Sequence, residues 1–139
     1  MSRQDQTAKE IVTRFWGHFN AREWRQAKLL LADDFEAHWP QSRELIKGRD
    51  NFIEVNQTYP GTHNIEVQEV KFEYDRSDLE CHVTTVVYIV SKMPDGKELN
   101  LFAVSFFVLN SEKQIKSATE YWADTSDAPE WRKHLVERY

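Results

Sequence analysis

Residues 98–109 read ELNLFAVSFFVL, and this stretch decides the predicted fold. Side chains alternate between the two faces of a β-strand, so the apolar residues of this stretch divide into two sets. One set is Leu99, Leu101, Ala103, Phe107 and Leu109, and the other is Phe102, Val104, Phe106 and Val108. A strand that is apolar on both sides is predicted to be covered on both sides.

Three more runs with a period of two accompany this strand, at residues 64–74, 79–91 and 114–123, and they are rich in Val, Ile, Phe, Tyr and Thr. Short separators made of turn-forming residues divide the runs: Asp75-Arg76-Ser77-Asp78, Pro94-Asp95-Gly96 and Asn110-Ser111-Glu112-Lys113. Because short turns join antiparallel neighbours, the pattern predicts a four-stranded meander. Its two middle strands are long enough to twist and curve strongly.

The chain before the meander has helical periodicity. Apolar side chains at spacings of three and four predict a helix over residues 5–20. These side chains are Ala8, Ile11, Val12, Phe15, Trp16 and Phe19. A second, shorter helix is predicted from Trp24 to Leu31, and a third from about Asp50 until Pro60-Gly61 stops it.

Two further segments complete the prediction. Residues 35–39 alternate and indicate a short strand that Pro40 closes, and the polar stretch Gln41 to Arg49 indicates a loop. Near the end of the sequence, Asp127-Ala128-Pro129-Glu130 is typical of a helix start. The apolar face of that last helix would consist of Trp131, Leu135 and Val136.

Three helices ahead of a long meander exclude a doubly wound sheet, because helices and strands do not alternate. We expect one α+β domain over residues 1–139, with the N-terminal helices across one face of a cone-shaped, curved antiparallel sheet and a C-terminal helix. Such a cone is not filled at its wide mouth, which predicts an aromatic-lined pocket for a small apolar ligand. The other face of strand 98–109 predicts a homodimer through the sheet, because the chain is too short to cover both faces.

Composition excludes several classes of partner. Apolar residues are 40% and charged residues 29%, which is typical of a globular chain rather than a disordered one. Eighteen Lys and Arg against 23 Asp and Glu give a net charge of −5, which argues against nucleic acid or an anionic membrane surface as partner. The lone Cys81, a polar N-terminus and the lack of a membrane-spanning window predict a cytoplasmic protein.

Several stretches carry a family resemblance that spans nearly the whole chain. They are Leu29-Leu-Leu-Ala-Asp-Asp-Phe35, His38-Trp-Pro-Gln-Ser42 with Glu44 and Gly48, Asn51-Phe52 with Asn56, Tyr59-Pro60-Gly61, Ser105-Phe106-Phe107, Glu120-Tyr-Trp122 and Ala128-Pro-Glu-Trp-Arg132. Together with the order of elements, they resemble the nuclear transport factor 2-like superfamily, which includes SnoaL-like polyketide cyclases and steroid delta-isomerases. The resemblance implies the α+β cone, a homodimer and no metal or organic cofactor. It does not specify the chemistry, because one cone hosts both enzymes and binding modules.

Two departures argue against the steroid isomerase reaction. In those enzymes the catalytic base is an aspartate directly before the proline that follows the first strand, and the matching residue here is Trp39. Their oxyanion-stabilising tyrosine comes from the first helix, where this chain has Phe15, Trp16 and Phe19, none with a hydroxyl group.

The candidate catalytic residues are therefore Glu120, Glu44 and His38. A carboxylate among aromatic side chains loses solvation, so its pKa rises and it can act as an acid or base near neutral pH. Glu120 shares a strand face with Trp122 and is the stronger candidate if that face looks into the cone. The alternatives are that Glu120 binds a neighbouring donor or an arginine and that Glu44 is a solvated loop residue.

The role of His38, on the face opposite Trp39, is open between proton transfer and a simple hydrogen bond. Asp124 lies close to where SnoaL-like cyclases keep an aspartate, and it is equally a turn residue.

The candidate ligand-binding residues are Trp16, Phe19, Trp39, Asn56, Tyr59 and Trp122. Asn56 and Tyr59 lie three apart on the third helix and could donate hydrogen bonds to a carbonyl oxygen. Trp24 and Trp131 are instead expected in the core. The five histidines are scattered without an HExxH frame, so no metal site is predicted.

Three functions remain open from the sequence. The first is a cofactor-free acid–base enzyme of the isomerase, cyclase or dehydratase class that acts on a small apolar carbonyl compound. The second is a non-catalytic ligand-binding or dimerisation module, and the third is a protein-interaction domain.

Overall fold

A computed structural model describes residues 3–74 and 80–139 of the chain. The helices are α1 (Arg3–Ala21), α2 (Trp24–Leu29) and α3 (Arg49–Thr58), with a 3₁₀ helix at Glu130–Leu135. The strands are β1 (Leu31–Trp39), β2 (Glu44–Lys47), β3 (Thr62–Tyr74), β4 (Cys81–Lys92), β5 (Glu98–Leu109) and β6 (Ile115–Asp124). The predicted α+β order of helices before a meander is confirmed.

The strands form one curved sheet in the order β2-β1-β6-β5-β4-β3. Strands β3 to β6 pair antiparallel with their neighbours, as the meander prediction requires. The exception to an antiparallel sheet is β1, which pairs parallel with β6 and places Ala37 opposite Ala118. The predicted turn at Asp75-Arg76-Ser77-Asp78 lies outside the described residues.

The three α-helices lie across one face of this sheet, with α1 against β3 and β4 and α3 against β1 and β2. The α1 stripe enters the core, where Phe15 is fully buried. Its ring packs 4.3 Å from Phe19, 5.4 Å from Phe107 and 6.4 Å from Phe52, measured between ring centroids. Because burial of a phenylalanine is worth about 1.5–3 kcal/mol, this aromatic cluster holds α1 and α3 on the sheet.

The polar segment after Pro40 contains a strand, β2, where the sequence predicts only a loop. Trp39 pairs with Glu44 and Ala37 with Ile46 in an antiparallel ladder. Ile46 is the one buried residue of β2, so a single inward side chain in four residues produced no readable alternation. Backbone hydrogen bonds to β1 form the strand despite its polar composition.

The predicted boundary between α2 and β1 is also corrected. The helix ends at Leu29 and β1 already begins at Leu31, four residues earlier than predicted. Leu31 is fully buried and pairs with Ile115 of β6. Its burial in the sheet outweighs the helical spacing that it shares with Trp24 and Ala27.

The last element is a 3₁₀ helix rather than the predicted amphipathic α-helix. Its Trp131 is 70% exposed and Leu135 is 71% exposed, so the prediction that Trp131 belongs to the core is wrong. A short helix is marginal unless its apolar face is buried, and this segment has no buried residue. Trp24, in contrast, is half-buried and packs edge-on against Phe19, with 5.1 Å between centroids.

The two apolar sets of β5 face different environments, as their alternation predicts. Ala103, Phe107 and Leu109 are buried under the helices, whereas Phe102 is 44% exposed and Phe106 46% exposed on the opposite face. That opposite face is called the convex face below. Among the described residues, no helix is long and apolar enough to cross a membrane.

Candidate functional site

A cavity of about 180 Å³ lies between the helices and the concave face of the sheet. Aromatic side chains form much of its wall: Trp16, Phe19, Trp24, Trp39, Phe52, Tyr59 and Trp122. Aliphatic residues of β3, β4 and β5 complete the wall, among them Ile65, Ile89 and Leu101. The interior that the helices leave unfilled is therefore predominantly apolar, as ligand sites commonly are.

All six residues predicted from the sequence to bind a ligand line this cavity. Spacings of three bring Trp16 and Phe19 of α1, and Asn56 and Tyr59 of α3 and its C-cap, to the same side. The α1 pair is buried, whereas half of Tyr59 is exposed, so Tyr59 stands at the mouth. Their position is established, and ligand binding by them stays a prediction.

Glu120 is the acidic side chain of the cavity wall. It lies on β6 between β1 and β5, and only 8% of its surface is exposed. Its Oε2 accepts a 2.6 Å hydrogen bond from the Ser105 hydroxyl, and its Oε1 accepts a 3.1 Å hydrogen bond from the Trp39 indole N–H. The partners are thus neutral donors rather than the arginine that the sequence left open.

Burial raises the pKa of the Glu120 carboxyl above its ordinary value. The hydrogen bonds from Ser105 and Trp39 lower the pKa, and burial is the larger effect. A carboxylate has about four lone-pair positions, and these two donors use two of them, so the group can still engage a ligand. Among the described residues that line the cavity, Glu120 is the one with a carboxyl group.

Indole rings hold this end of the cavity in place. Trp39 and Trp122 meet edge to face, with ring centroids 5.6 Å apart and planes at 81°. The indole N–H of Trp16 donates a 3.0 Å hydrogen bond to the hydroxyl of Thr85, which is fully buried on β4. The indole N–H groups of Trp16 and Trp39 each have a hydrogen-bond acceptor, so the faces of these rings can form an apolar wall.

A second polar group of the cavity is His63, the second residue of β3. The Nδ1 of His63 is 2.6 Å from the hydroxyl of Ser91, its cross-strand partner on β4. Burial lowers the pKa of His63, with the nearby Arg22 as the second cause. Sequence reasoning missed His63 because the strand was predicted to start at residue 64, one position too late to include it.

The other predicted catalytic residues, Glu44 and His38, do not line the cavity, and for Glu44 this corrects its expected place near the mouth or interior. Glu44 is exposed on the edge strand β2. His38 is exposed on the face of β1 opposite Trp39, with its Nε2 3.8 Å from the Glu36 carboxylate. Asp124 is exposed at the end of β6, paired with Leu101. Alternation explains the position of His38. Glu44 shares the sheet face of its partner Trp39, but β2 is the edge strand, so Glu44 is exposed outside the cavity lining.

No group of three His, Cys, Asp or Glu side chains among the described residues is arranged to hold a metal ion. The described polar side chains that line the cavity are those of Glu120, the His63–Ser91 pair, Asn56, Tyr59 and Arg22, besides the indole N–H groups.

A model of the SnoaL-like domain family matches residues 12–118. A search of curated proteins gave no match. Among solved structures, a proposed ketosteroid isomerase from Kribbella flavida DSM 17836 is 25% identical. The match covers 97% of this chain and 91% of that one, with a TM-score of 0.77.

Two more distant structures share the fold. The epoxide hydrolase/cyclase-like enzyme SalBIII, which has a role in pyran ring formation in the polyether salinomycin, is 16% identical, with 88% and 95% of the chains covered and a TM-score of 0.69. Rv0760c from Mycobacterium tuberculosis, solved in complex with estradiol-17beta-hemisuccinate, is also 16% identical. There 84% of this chain and 94% of the other are covered, with a TM-score of 0.68.

Proposed function

This chain belongs to the SnoaL-like domain family, and from that premise we propose that it is a cofactor-free acid–base enzyme for a small, largely apolar carbonyl compound. The reaction would be of the isomerase, cyclase or dehydratase class, and Glu120 would exchange the proton. One observation carries the proposal: a buried carboxyl with a raised pKa lies on the wall of an apolar cavity and has no cationic partner among the described residues.

The expected chemistry starts from the raised pKa of Glu120. In its ionised form the carboxylate accepts a proton from the carbon next to the carbonyl group, and the resulting neutral acid returns that proton at another carbon or to a departing hydroxyl group. A group whose pKa lies near the working pH can accept the proton and return it without either transfer becoming slow. Ser105 and Trp39 keep both carboxyl oxygens in position throughout.

The aromatic wall supports this chemistry by excluding water. Trp16, Trp39 and Trp122 contact the space beside the carboxyl, and the low polarity that they create sustains its raised pKa. Asn56 is placed to bind a ligand oxygen: its Nδ2 donates a 2.8 Å hydrogen bond to the Phe52 carbonyl, and its amide retains one further N–H and an acceptor oxygen.

The departures from the steroid delta-isomerase pattern are consistent with a relocated acid. Trp39 occupies the position of the catalytic aspartate in those enzymes and donates a hydrogen bond to Glu120 on the neighbouring strand. We therefore propose that β6, and not the end of β1, supplies the reacting carboxyl group in this protein.

The test is deuterium exchange into simple ketones. Cyclohexanone, 1-tetralone and 4-chromanone are incubated with the protein in D₂O, and incorporation next to the carbonyl is followed by NMR or mass spectrometry. We expect exchange above the buffer rate, and a loss of about 10²–10⁴-fold for Glu120→Gln, the range of a general acid–base group. Glu98→Gln, at the exposed start of β5, is the matched control.

The result also decides between the two predicted carboxyl groups. Loss of exchange in Glu44→Gln, with Glu120→Gln unaffected, would move the acid to β2 and overturn the assignment. Binding of the ketones without any exchange would instead favour the alternative, a non-catalytic ligand-binding module. The missing aspartate and tyrosine of the isomerases motivate that alternative, and a ligand-induced rise in melting temperature would be its only signature.

We also propose that two copies associate through the convex face. Phe102, Phe106 and Tyr121 are each more than two-fifths exposed there. They belong to two ring pairs, Phe106 with Tyr121 at 6.4 Å and Phe102 with Tyr88 at 4.9 Å between centroids, and such exposed apolar groups are typical of an interaction surface. A second copy is the occupant that the apolar alternation of β5 predicts. The cytoplasmic location inferred from the lone Cys81 stays a prediction.

A further inference from the structure

Arg22 brings a positive charge to the wall of the cavity. It is the residue directly after α1, and it lines the same space as Trp16 and Phe19 of that helix. Its side chain is exposed, so the guanidinium lies at the rim, where the cavity meets solvent. Among the described residues that line the cavity, Arg22 is the one with a permanent positive charge. The proton transfer proposed for Glu120 does not use it.

The backbone at Arg22 has a strained conformation that closes α1. Its φ angle is 60°, in the left-handed region that glycine usually occupies at the end of a helix. The Arg22 N–H donates a 3.1 Å hydrogen bond to the Phe19 carbonyl, and the Glu23 N–H donates a 2.8 Å hydrogen bond to the His18 carbonyl. These two bonds explain the geometry of the helix end but not the choice of an arginine there. Strained positions of this kind cluster at ligand sites.

The end of α1 is also attached to the sheet. The side-chain oxygen of Asn20 accepts a 2.8 Å hydrogen bond from the Ile65 N–H of β3. Ile65 and its partner Ile89 on β4 both line the cavity. This contact keeps the base of the Arg22 side chain beside the cavity, whichever rotamer the side chain adopts.

The guanidinium of Arg22 has donors to spare. Among the described side chains no ion pair neutralises it, because Glu23 beside it in the chain pairs with His18 at 3.0 Å. The guanidinium lies 5.7 Å from the Trp24 ring, a contact with the ring that leaves its N–H groups available. Its charge acts on the cavity wall: burial and, after it, Arg22 lower the pKa of His63. The rim therefore offers an unpaired cation to an anionic group.

Arg22 and the carboxyl of Glu120 lie at different levels of the cavity. Thr85, Ser105 and Glu120 are partners on three adjacent strands. Because the Trp16 indole donates a hydrogen bond to Thr85, Trp16 marks the level of Glu120 on α1. Arg22 follows Trp16 by six residues, which corresponds to roughly 9 Å along a helix axis. A ligand that contacts both groups must be elongated.

We propose that Arg22 binds the carboxylate of an oxo acid whose ketone group lies at Glu120, so that the substrates are apolar oxo-carboxylates. This inference rests on the proposed function, which supplies the ketone end. The body of the ligand would be apolar, because Phe19, between the two levels on α1, lines the cavity with a buried aromatic ring. The carboxylate would stay at the rim, where it keeps part of its hydration and avoids the cost of burying a charge.

The chemistry of the rim favours a carboxylate over a phosphate. A guanidinium has a planar fork of N–H donors that matches a planar carboxylate with two parallel hydrogen bonds. A phosphate group carries up to two negative charges and is typically met by a cluster of arginines. The described wall of the cavity has a single arginine and no lysine.

The test compares acids with neutral amides of the same shape. The probes are 5-oxo-5-phenylpentanoate and 7-oxo-7-phenylheptanoate, each with its primary amide, and dissociation constants are measured by calorimetry. We expect wild type to bind at least one acid about 5–10-fold more tightly than its amide, between the ranges of an exposed ion pair and a hydrogen bond to a buried charge. In Arg22→Met this ratio should fall to about one, because the acid alone loses affinity.

Two matched variants and a salt series sharpen the result. Arg25→Met removes an exposed arginine of α2 that does not line the cavity, and it should keep the wild-type ratio. Arg22→Lys keeps the charge without the fork and should give an intermediate ratio. The preference for the acid should shrink in about 0.5 M NaCl, because salt screens charges at the rim. Circular dichroism and melting curves confirm that each variant is folded.

Three outcomes would overturn the inference. They are an acid preference that is equal in wild type and Arg22→Met, a wild-type preference for the amides, and absence of binding of all four probes to wild type. The Glu120 proposal is decided separately, by deuterium exchange into cyclohexanone, 1-tetralone and 4-chromanone, because these ketones have no carboxylate. Exchange into those ketones without a preference for the acids would leave the acid–base function standing and remove the role of Arg22.

Discussion

Ser105 and Glu120 face each other directly across β5 and β6, and the serine hydroxyl donates a 2.6 Å hydrogen bond to the glutamate carboxyl inside the protein. Together with the indole N–H of Trp39, this bond orients a group that burial drives toward its neutral form. The carboxyl is thus held in place by neutral donors while its pKa is left raised, the combination that acid–base chemistry near neutral pH requires.

The stability of the protein should depend on pH through Glu120. Because burial raises its pKa, the folded chain retains a proton that the unfolded chain releases above about pH 4.3. This contribution to the free energy of unfolding is fully present below that pH and is lost as pH rises through the folded pKa, at about 1.4 kcal/mol for each unit of the raise. Glu120→Gln should lose that part of the pH dependence in urea denaturation between pH 4 and pH 9, and an unchanged slope would contradict a raised pKa.

Ser105→Ala should raise the pKa of Glu120 further. The Ser105 hydroxyl lowers that pKa by donating a hydrogen bond to Oε2. Without it, less remains to compensate the increase in pKa that burial causes. We expect the pH profile of ketone deuterium exchange to move to higher pH and the free energy of unfolding to fall by about 0.5–1.5 kcal/mol. Ser126→Ala, at an exposed position after β6, should change neither quantity. A shift to lower pH would refute the donor role of Ser105.

Trp39→Phe should separate the two functions of Trp39. The variant keeps an aromatic ring beside Trp122 but lacks the N–H that donates to Glu120. We expect ketone affinity to change by less than about threefold while the exchange rate falls by about 10–150-fold, because a hydrogen bond to a charged group is worth about 1.5–3 kcal/mol. Trp131→Phe, on the exposed 3₁₀ helix, is the control for losing an indole. Equal rates for wild type and Trp39→Phe would remove the indole from the mechanism.

The convex face should control the oligomeric state. Wild type is expected to elute with a mass of twice 16.5 kDa in chromatography with light scattering at micromolar concentration. Phe106→Glu places a charge in the exposed ring cluster and should give the monomer mass. Leu29→Glu alters an exposed apolar residue at the end of α2, on the helix side of the sheet, and should leave the dimer intact. A wild-type monomer would exclude the proposed interface.

Gly61 should be far less tolerant of substitution than Gly96. Both have positive φ angles, 93° and 88°, but only at Gly61 would an added Cβ meet a neighbour, the Lys92 carbonyl oxygen at 2.5 Å. Gly96→Ala should cost about 1 kcal/mol from backbone strain alone, and Gly61→Ala clearly more. Urea denaturation of the two variants measures the difference. Equal losses would mean that the start of β3, which carries His63, can move away from β4.

Much of the fold was predictable because alternation is a local property. In the runs that form β3 to β6, the inward and outward residues can be separated from the sequence. The alternation along β6 correctly predicted that Glu120 shares a sheet face with Trp122. The strand β2 was not predicted because its one inward side chain, Ile46, gives no readable alternation. The parallel pairing of β1 with β6 was not predicted because it joins segments far apart in the chain. His63 was missed for a related reason: the position at which a strand starts is set by its partner.

The sequence by itself determined a curved meander covered by helices, an aromatic interior and apolar side chains on the convex face. These features follow from side-chain periodicity and hydrophobicity, which can be read over neighbouring residues. Only the tertiary structure decided which polar atoms lost contact with solvent. Burial of Glu120 between Ser105 and Trp39, and of the His63 Nε2 beside Ser91, arises where strands distant in sequence converge. The chemistry of the site follows from that desolvation, which no single segment of the chain encodes.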